Sequence, residues 1–162
     1  MRSAVLTILC VILSGAAVKG NDLLNLRGLF VSPGITVSKY GKDPYFGGEV
    51  SLFSTRGYYY AGGFAEGGYV TGRNDLRFVI GPEIGILVFG VDCGFMTIKD
   101  NDRWMNGFCF RPYLAIPLPG LGVDRGMMFN VFYRRDSWSG KDSWKHENEV
   151  GIQLKCAFLA VN

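Results

Sequence analysis

The chain has 162 residues, enough for one domain, with 48% hydrophobic and 14% aromatic residues, 23 glycines and a formal charge of +3. That near-neutral balance gives no reason to invoke nucleic acid. No apolar run beyond residue 20 reaches transmembrane-helix length, so membrane residence would require a closed barrel, the other structure that satisfies its own backbone.

Met1-Arg2, the apolar run Ala4–Leu13 and the small residues Ser14-Gly15-Ala16-Ala17 have the form of a secretory signal peptide. Cleavage after Ala17 or after Gly20 fits the small-residue rule, so residues 1–20 are expected to be removed and 21–162 to form one domain. Losing Arg2 and Lys19 lowers the formal charge to +1. Cys93, Cys109 and Cys156 remain, and an odd number excludes a complete disulfide framework. They read as small wall residues, with Cys93–Cys109 the one pairing that neighbouring strands leave open.

Eight segments alternate apolar and polar side chains with a period of two, the signature of strands with two unlike faces. The first, about Leu29–Lys39, sets Val31, Ile35 and Val37 against Ser32, Gly34, Thr36 and Ser38. After Gly41–Pro44 the second, Tyr45–Ser54, sets Val50 and Leu52 against Gly47, Glu49 and Ser51. A tight turn at Thr55–Gly57 leads to Tyr58–Val70, so rich in Gly, Ala and Tyr that its faces barely differ. Beyond the polar loop Thr71–Asp75, Leu76–Ile86 has the cleanest alternation, with Leu76, Phe78, Ile80, Pro82, Ile84 and Ile86 on one side. The fifth strand follows a turn at Leu87-Val88 and alternates Phe89, Val91, Cys93 and Phe95 with Gly90, Asp92 and Gly94. Lys99–Arg103 is read as a loop, Gly107–Ile116 as the sixth strand and Pro117–Asp124 as a turn. The seventh, Met127–Arg134, leads into Asp136–Lys145, read as the longest loop, before Glu149–Lys155 completes the set.

The polar faces together hold Glu49, Glu66, Glu83, Asp92 and Glu149 with Arg77, Arg111, Arg134 and Lys155. Charges occupy an enclosed interior only when paired and hydrogen-bonded, so this nearly balanced set reads as a cross-linked polar lumen. A soluble ligand-binding barrel would show the inverse arrangement. The connections alternate between polar and tight, as external loops alternate with periplasmic turns. Trp104, Trp138, Trp144, Tyr40, Tyr45 and Tyr69 fall at the loop end, and Phe53, Tyr58, Tyr59 and Phe89 at the turn end, as two interfacial aromatic belts would.

With these features the chain resembles the small eight-stranded outer-membrane β-barrels of Gram-negative bacteria over its whole mature length. The phrases F-V-S-P-G (30–34), G-P-E-I-G (81–85), G-V-D-C-G-F (90–95) and R-P-Y-L-A-I-P-L (111–118) carry the resemblance. It implies an all-β, eight-stranded antiparallel up-and-down transmembrane barrel in the outer membrane. Such barrels often end on an aromatic residue, whereas here Phe158 is followed by Leu-Ala-Val-Asn. Pro33, Pro82 and Pro112 fall within strands, where each removes a ladder donor, so bulges or breaks are expected there.

A barrel this narrow is filled by side chains, so the charged set reads as a structural plug rather than an ion path, and Glu83 with Asp92 as part of it rather than an acid–base pair. Some outer-membrane lipid A-modifying barrels use Ser and His. Here His146 with Ser137, Ser139 and Ser143 is read as one polar loop without an orienting scaffold. Asp100-Asn101-Asp102 lacks the later ligands of a calcium loop and reads as a turn. The repeated D-S-W in 136–145 assigns this loop to lipid anchoring or contact with a surface partner. Basic residues at the loop end, among them Lys39, Arg73 and Arg135, lie among aspartates such as Asp43, Asp75 and Asp136, a mixed rim that would touch outer-membrane lipid and lipopolysaccharide phosphates. The reading is a structural or interaction barrel without catalysis or cofactor. Its alternatives are a narrow solute channel, a lipid-modifying enzyme and a soluble exported ligand-binding barrel.

Overall fold

The computed structural model describes residues 27–86, 88–100, 103–118, 125–139 and 143–161. The expected signal peptide, Leu87, and Asn101 and Asp102 of the aspartate-rich turn lie outside them. Eight strands follow in order: β1 (Arg27–Tyr40), β2 (Asp43–Arg56), β3 (Tyr59–Val70), β4 (Asp75–Ile86), β5 (Phe89–Asp100), β6 (Arg103–Leu118), β7 (Arg125–Ser139) and β8 (Trp144–Val161). Each pairs antiparallel with the next, and β1 pairs with β8, so the sheet closes and leaves no edge.

Two hairpins turn at Gly41 and Gly57, with φ of 60° and 62°, where glycine supplies a conformation that other residues adopt at a cost. At the loop end the strands outrun the alternation read from the sequence. The expected long loop Asp136–Lys145 is mostly strand: β7 runs to Ser139, β8 begins at Trp144, and Ser139 pairs with Trp144. Polar residues such as Arg135, Ser137 and His146 continue the alternation there, because a strand that leaves the apolar band no longer needs apolar side chains.

Each of the three prolines interrupts one ladder and leaves the other intact. The β1–β8 register passes from Val31↔Phe158 to Gly34↔Lys155, that of β4–β5 from Ile80↔Phe95 to Glu83↔Asp92, and that of β6–β7 from Phe110↔Arg135 to Tyr113↔Phe132. On the opposite side Pro33, Pro82 and Pro112 stay in register with Val50, Gly63 and Val91. A proline lacks the donor for one neighbour only, so the breaks are one-sided.

Alternation then sorts the side chains. On β4, Arg77 is 0% exposed and Ile80 is 63% exposed. Ile35, Val50, Ile84, Phe89, Phe108 and Val150 also point outward, while the buried interior takes most of the charge. Cys93 is exposed and Cys109 buried, and all three described cysteines are free. Cys93 lies opposite Phe110, and Cys109 opposite Gly94, so the two thiols sit on opposite faces of the wall and the Cys93–Cys109 pairing does not form.

Candidate functional site

The distinctive assembly is the lumen, and its centre is Glu66 on β3. Glu66 Oε1 accepts hydrogen bonds from Tyr45 Oη at 2.7 Å, Arg77 at 3.0 Å and Arg134 at 2.7 Å. Its Oε2 accepts from Arg111 and Arg134, both at 2.6 Å. One carboxylate thereby ties β3 to β2, β4, β6 and β7. Charge-assisted bonds to guanidinium are the strong class of hydrogen bond, and a fully buried carboxylate depends on them.

Two branches leave this hub. Toward the loop end, Arg77 also reaches Glu149 at 2.5 Å and Asp136 at 2.9 Å, and Ser38 Oγ donates to Glu149 at 2.5 Å across the seam between β1 and β8. Toward the turn end, Arg111 binds Asp92 at 2.6 Å and makes a short contact with Glu49. Lys155 bridges Glu49 at 2.6 Å and Glu83 at 2.9 Å, and Glu83 accepts from Tyr113 Oη at 2.7 Å. Tyr60 and Tyr113 share a hydrogen bond of 2.7 Å. All nine charges grouped from the sequence, Glu49, Glu66, Arg77, Glu83, Asp92, Arg111, Arg134, Glu149 and Lys155, thus meet in one connected network.

Two acids that the sequence reading set on the rim or in a loop belong inside: Asp75 and Asp136 are both buried. The described interior therefore holds seven carboxylates and four cations, an acidic excess rather than a near balance. Asp136 keeps the parity of Arg134 on β7, a signal hidden when the strand is ended at Arg134. Gln153 adds uncharged links to Thr36 at 3.1 Å and Glu49 at 2.8 Å, and Asn130 donates to Gln153 at 3.0 Å.

Aromatic rings close the network above and below. Tyr40, Tyr45 and Trp138 were expected at the lipid interface, yet all three are buried inside, with Val70, Met96 and Ile98 in one cluster. Arg77 lies 3.9 Å from the Tyr45 ring centroid and 4.9 Å from that of Tyr40, a cation–π arrangement that a desolvated guanidinium favours. Strand parity explains the correction, since Tyr40 follows Thr36 and Ser38, and Trp138 follows Arg134 and Asp136. Phe53, placed with the turn-end belt, is inward as well, packed with Phe30 and Ala157. The other named aromatics lie elsewhere: Tyr58, Tyr59, Trp104 and Trp144 are exposed, and Tyr69 is half-buried, bonded to Asn74. Because Trp138 is buried, the two D-S-W segments do not form an exposed pair of tryptophans.

Glycines make room for these rings. A Cβ on Gly68 would overlap the Tyr45 ring, and its register partner Gly47 stands against the same ring. Gly85 and Gly90, likewise opposite each other, leave space for the Tyr60 and Tyr113 phenols.

At the rim Arg73 bonds Asp43 at 2.9 Å and Glu147 at 3.0 Å. Partial burial lowers its proton affinity, but the hydrogen bond and charge of Glu147 outweigh that and hold the guanidinium above its ordinary range. Ser137 and His146 sit opposite each other on β7 and β8 rather than in a loop, with Oγ and Nδ1 2.8 Å apart. Among the described residues no acid or amide side chain bonds the other ring nitrogen, the place an orienting group takes in a Ser-His-acid triad. No group of three or more His, Cys, Asp or Glu among the described residues could hold a metal ion.

No family model matches the chain, and no curated protein sequence matches it. Among solved structures it is similar to the crystal structure of Neisserial surface protein A. The TM-score is 0.62 over 82% of this chain and 97% of that one, at 8% identity. At that identity the likeness is one of fold: an eight-stranded antiparallel barrel of the outer-membrane type.

Proposed function

Taking that fold as the premise, we propose that this chain is exported, loses residues 1–20 and sits in the outer membrane as a non-catalytic structural or interaction barrel. Its polar lumen acts as a plug, its apolar outer face meets lipid, and the end that carries the 71–74 and 140–143 connections faces the cell exterior. One observation carries the reading: the barrel is inverted relative to a soluble protein. Arg77, Arg111, Arg134 and Lys155 are buried, while Ile35, Ile80 and Phe108 are more than 60% exposed. Water would penalise both halves of that arrangement, and lipid favours both.

The plug speaks against a solute channel. Arg77, Arg111, Arg134, Tyr40, Tyr45 and Lys155 are among the largest fully buried side chains, and with the carboxylates that the cations and Tyr45 bond they occupy the space a water path would need. The corresponding expectation is that the barrel shows no conductance steps in planar bilayers, and steps would favour a channel.

Cell fractionation combined with gel mobility tests the proposal. Outer-membrane fractionation and a mobility shift on boiling are expected of a lipid-facing closed barrel. Soluble periplasmic material without a shift would overturn it and move the search to a soluble ligand.

A further inference from the structure

Alternation sorts the charges of the loop-end rim by sign. Of the carboxylates whose side chains are described, seven are buried in the lumen, and the other two, Asp43 and Glu147, are held by Arg73. None of these nine lies on the outer face of the wall. Lys39 on β1 and Arg135 on β7 are exposed and share the parity of the outward residues Val37 and Tyr133. Neither forms an ion pair among the described residues. What reads in the sequence as a mixed rim carries, in the fold, its described acid side chains on the lumen side, with Lys39 and Arg135 on the outside.

The two cations flank one strand. Lys39 is opposite Val150 and Arg135 opposite Asn148, so β8 runs between them. That sets their backbones roughly 10 Å apart across the strands and two residues apart along them. Hydrogen-bonding groups fill the interval: Tyr133 Oη donates to Asn148 Oδ1 at 2.7 Å, and Ser137 and His146 pair one row above. Below lies the apolar outer surface of Val37, Val150 and Ile152. A lipid that matches this surface carries acyl chains below and at least two anionic groups on its headgroup.

We propose that the outer face of β7, β8 and β1 binds the headgroup of a multiply phosphorylated lipid of the leaflet at the loop end, with Lys39 and Arg135 each taking one phosphate. This rests on the outer-membrane reading above and names a lipid class for it. Two separated cations with no outward carboxylate give attraction without a competing internal partner, and the strand between them fixes their spacing.

The test uses the mature chain refolded into phosphatidylcholine vesicles containing a small fraction of diphosphoryl lipid A, with lipid retained on the purified barrel as the readout. Parallel vesicles carry monophosphoryl lipid A or phosphatidylglycerol, and a further arm adds inorganic phosphate as competitor. The double variant K39Q/R135Q is compared with the charge-matched control R56Q/R103Q, which removes cations from the opposite end and from the lumen-parity side of the rim. Retention of diphosphoryl lipid A is expected to fall about tenfold or more in K39Q/R135Q and to hold in the control. The wild type should prefer two phosphates over one, and inorganic phosphate should compete poorly. Equal retention by wild type and K39Q/R135Q, or an equal loss in both variants, would overturn the site. A gel mobility shift separates the two readings: a chain that never forms a barrel in vesicles defeats the membrane assignment, whereas one that folds without lipid preference defeats only this inference.

Discussion

Arg134 on β7 reaches across the lumen to Glu66 on β3 and grips both carboxylate oxygens, at 2.7 and 2.6 Å. Arg77 and Arg111 bind the same carboxylate from other strands. Replacing Glu66 by Gln leaves three buried guanidiniums short of one negative charge. The expected cost is about 3–5 kcal/mol, the range for breaking a buried ion pair. Arg134→Lys keeps the charge but loses the paired geometry and should cost less. Urea unfolding of the refolded barrel in detergent measures both. A Glu66→Gln midpoint equal to wild type would mean the hub contributes nothing to stability.

Gly68 is required by the Tyr45 ring and not by its own backbone, since its φ is not positive. Gly68→Ala should therefore destabilise the barrel by about 1–3 kcal/mol, the usual cost of overpacking. The cost should largely vanish when Tyr45 is also changed to Ala, because the clash disappears with the ring. A double-mutant cycle reads this coupling. Additive effects would show that the glycine serves another purpose.

Ile80 is outward near the middle of β4. In a bilayer, Ile80→Arg should cost about 2–4 kcal/mol, the penalty for a cation at the midplane of a barrel wall. The same change at Trp144, near the rim, should cost far less. Unfolding titrations in vesicles measure the difference. Equal and small effects at both sites would mean that water rather than lipid covers the wall.

The cysteines report the same geometry chemically. Cys93 faces outward and Cys109 inward. In vesicles Cys93 should react with an apolar maleimide and resist a charged one, while Cys109 should react with neither until the barrel unfolds. Rapid labelling of Cys93 by the charged reagent in vesicles would contradict a lipid-covered face.

The alternation of Leu76–Ile86 made strand, face and lumen charges legible together, because every residue there but Val79 obeys the period. The sequence was less transparent at strand ends. Asp136, Trp138 and Tyr40 look like loop or interface residues by type, and only continued parity from Arg134 or Ser38 reveals that they face inward. Tyr45 shows a second limit. Its inward pose depends on Gly47, two residues on along β2, and on Gly68 of β3, whose place beside the ring no local pattern displays. Pairing between Glu66 and three arginines lay beyond sequence reading for the same reason: the partners lie on strands far apart along the chain.

The strict in-and-out sorting also bears on how the barrel can be assembled correctly. A strand that pairs one residue out of step presents its charges to lipid and its leucines and isoleucines to the plug. Every link that this strand makes then fails at once, and where the strand is β1 or β8 so does the seam bond from Ser38 to Glu149 that joins the first strand to the last. The lumen is therefore an alignment key as much as a brace. Misaligned closures are rejected by energy rather than by a separate checking device, and the correct register is the one arrangement in which the first and last strands find each other's polar groups.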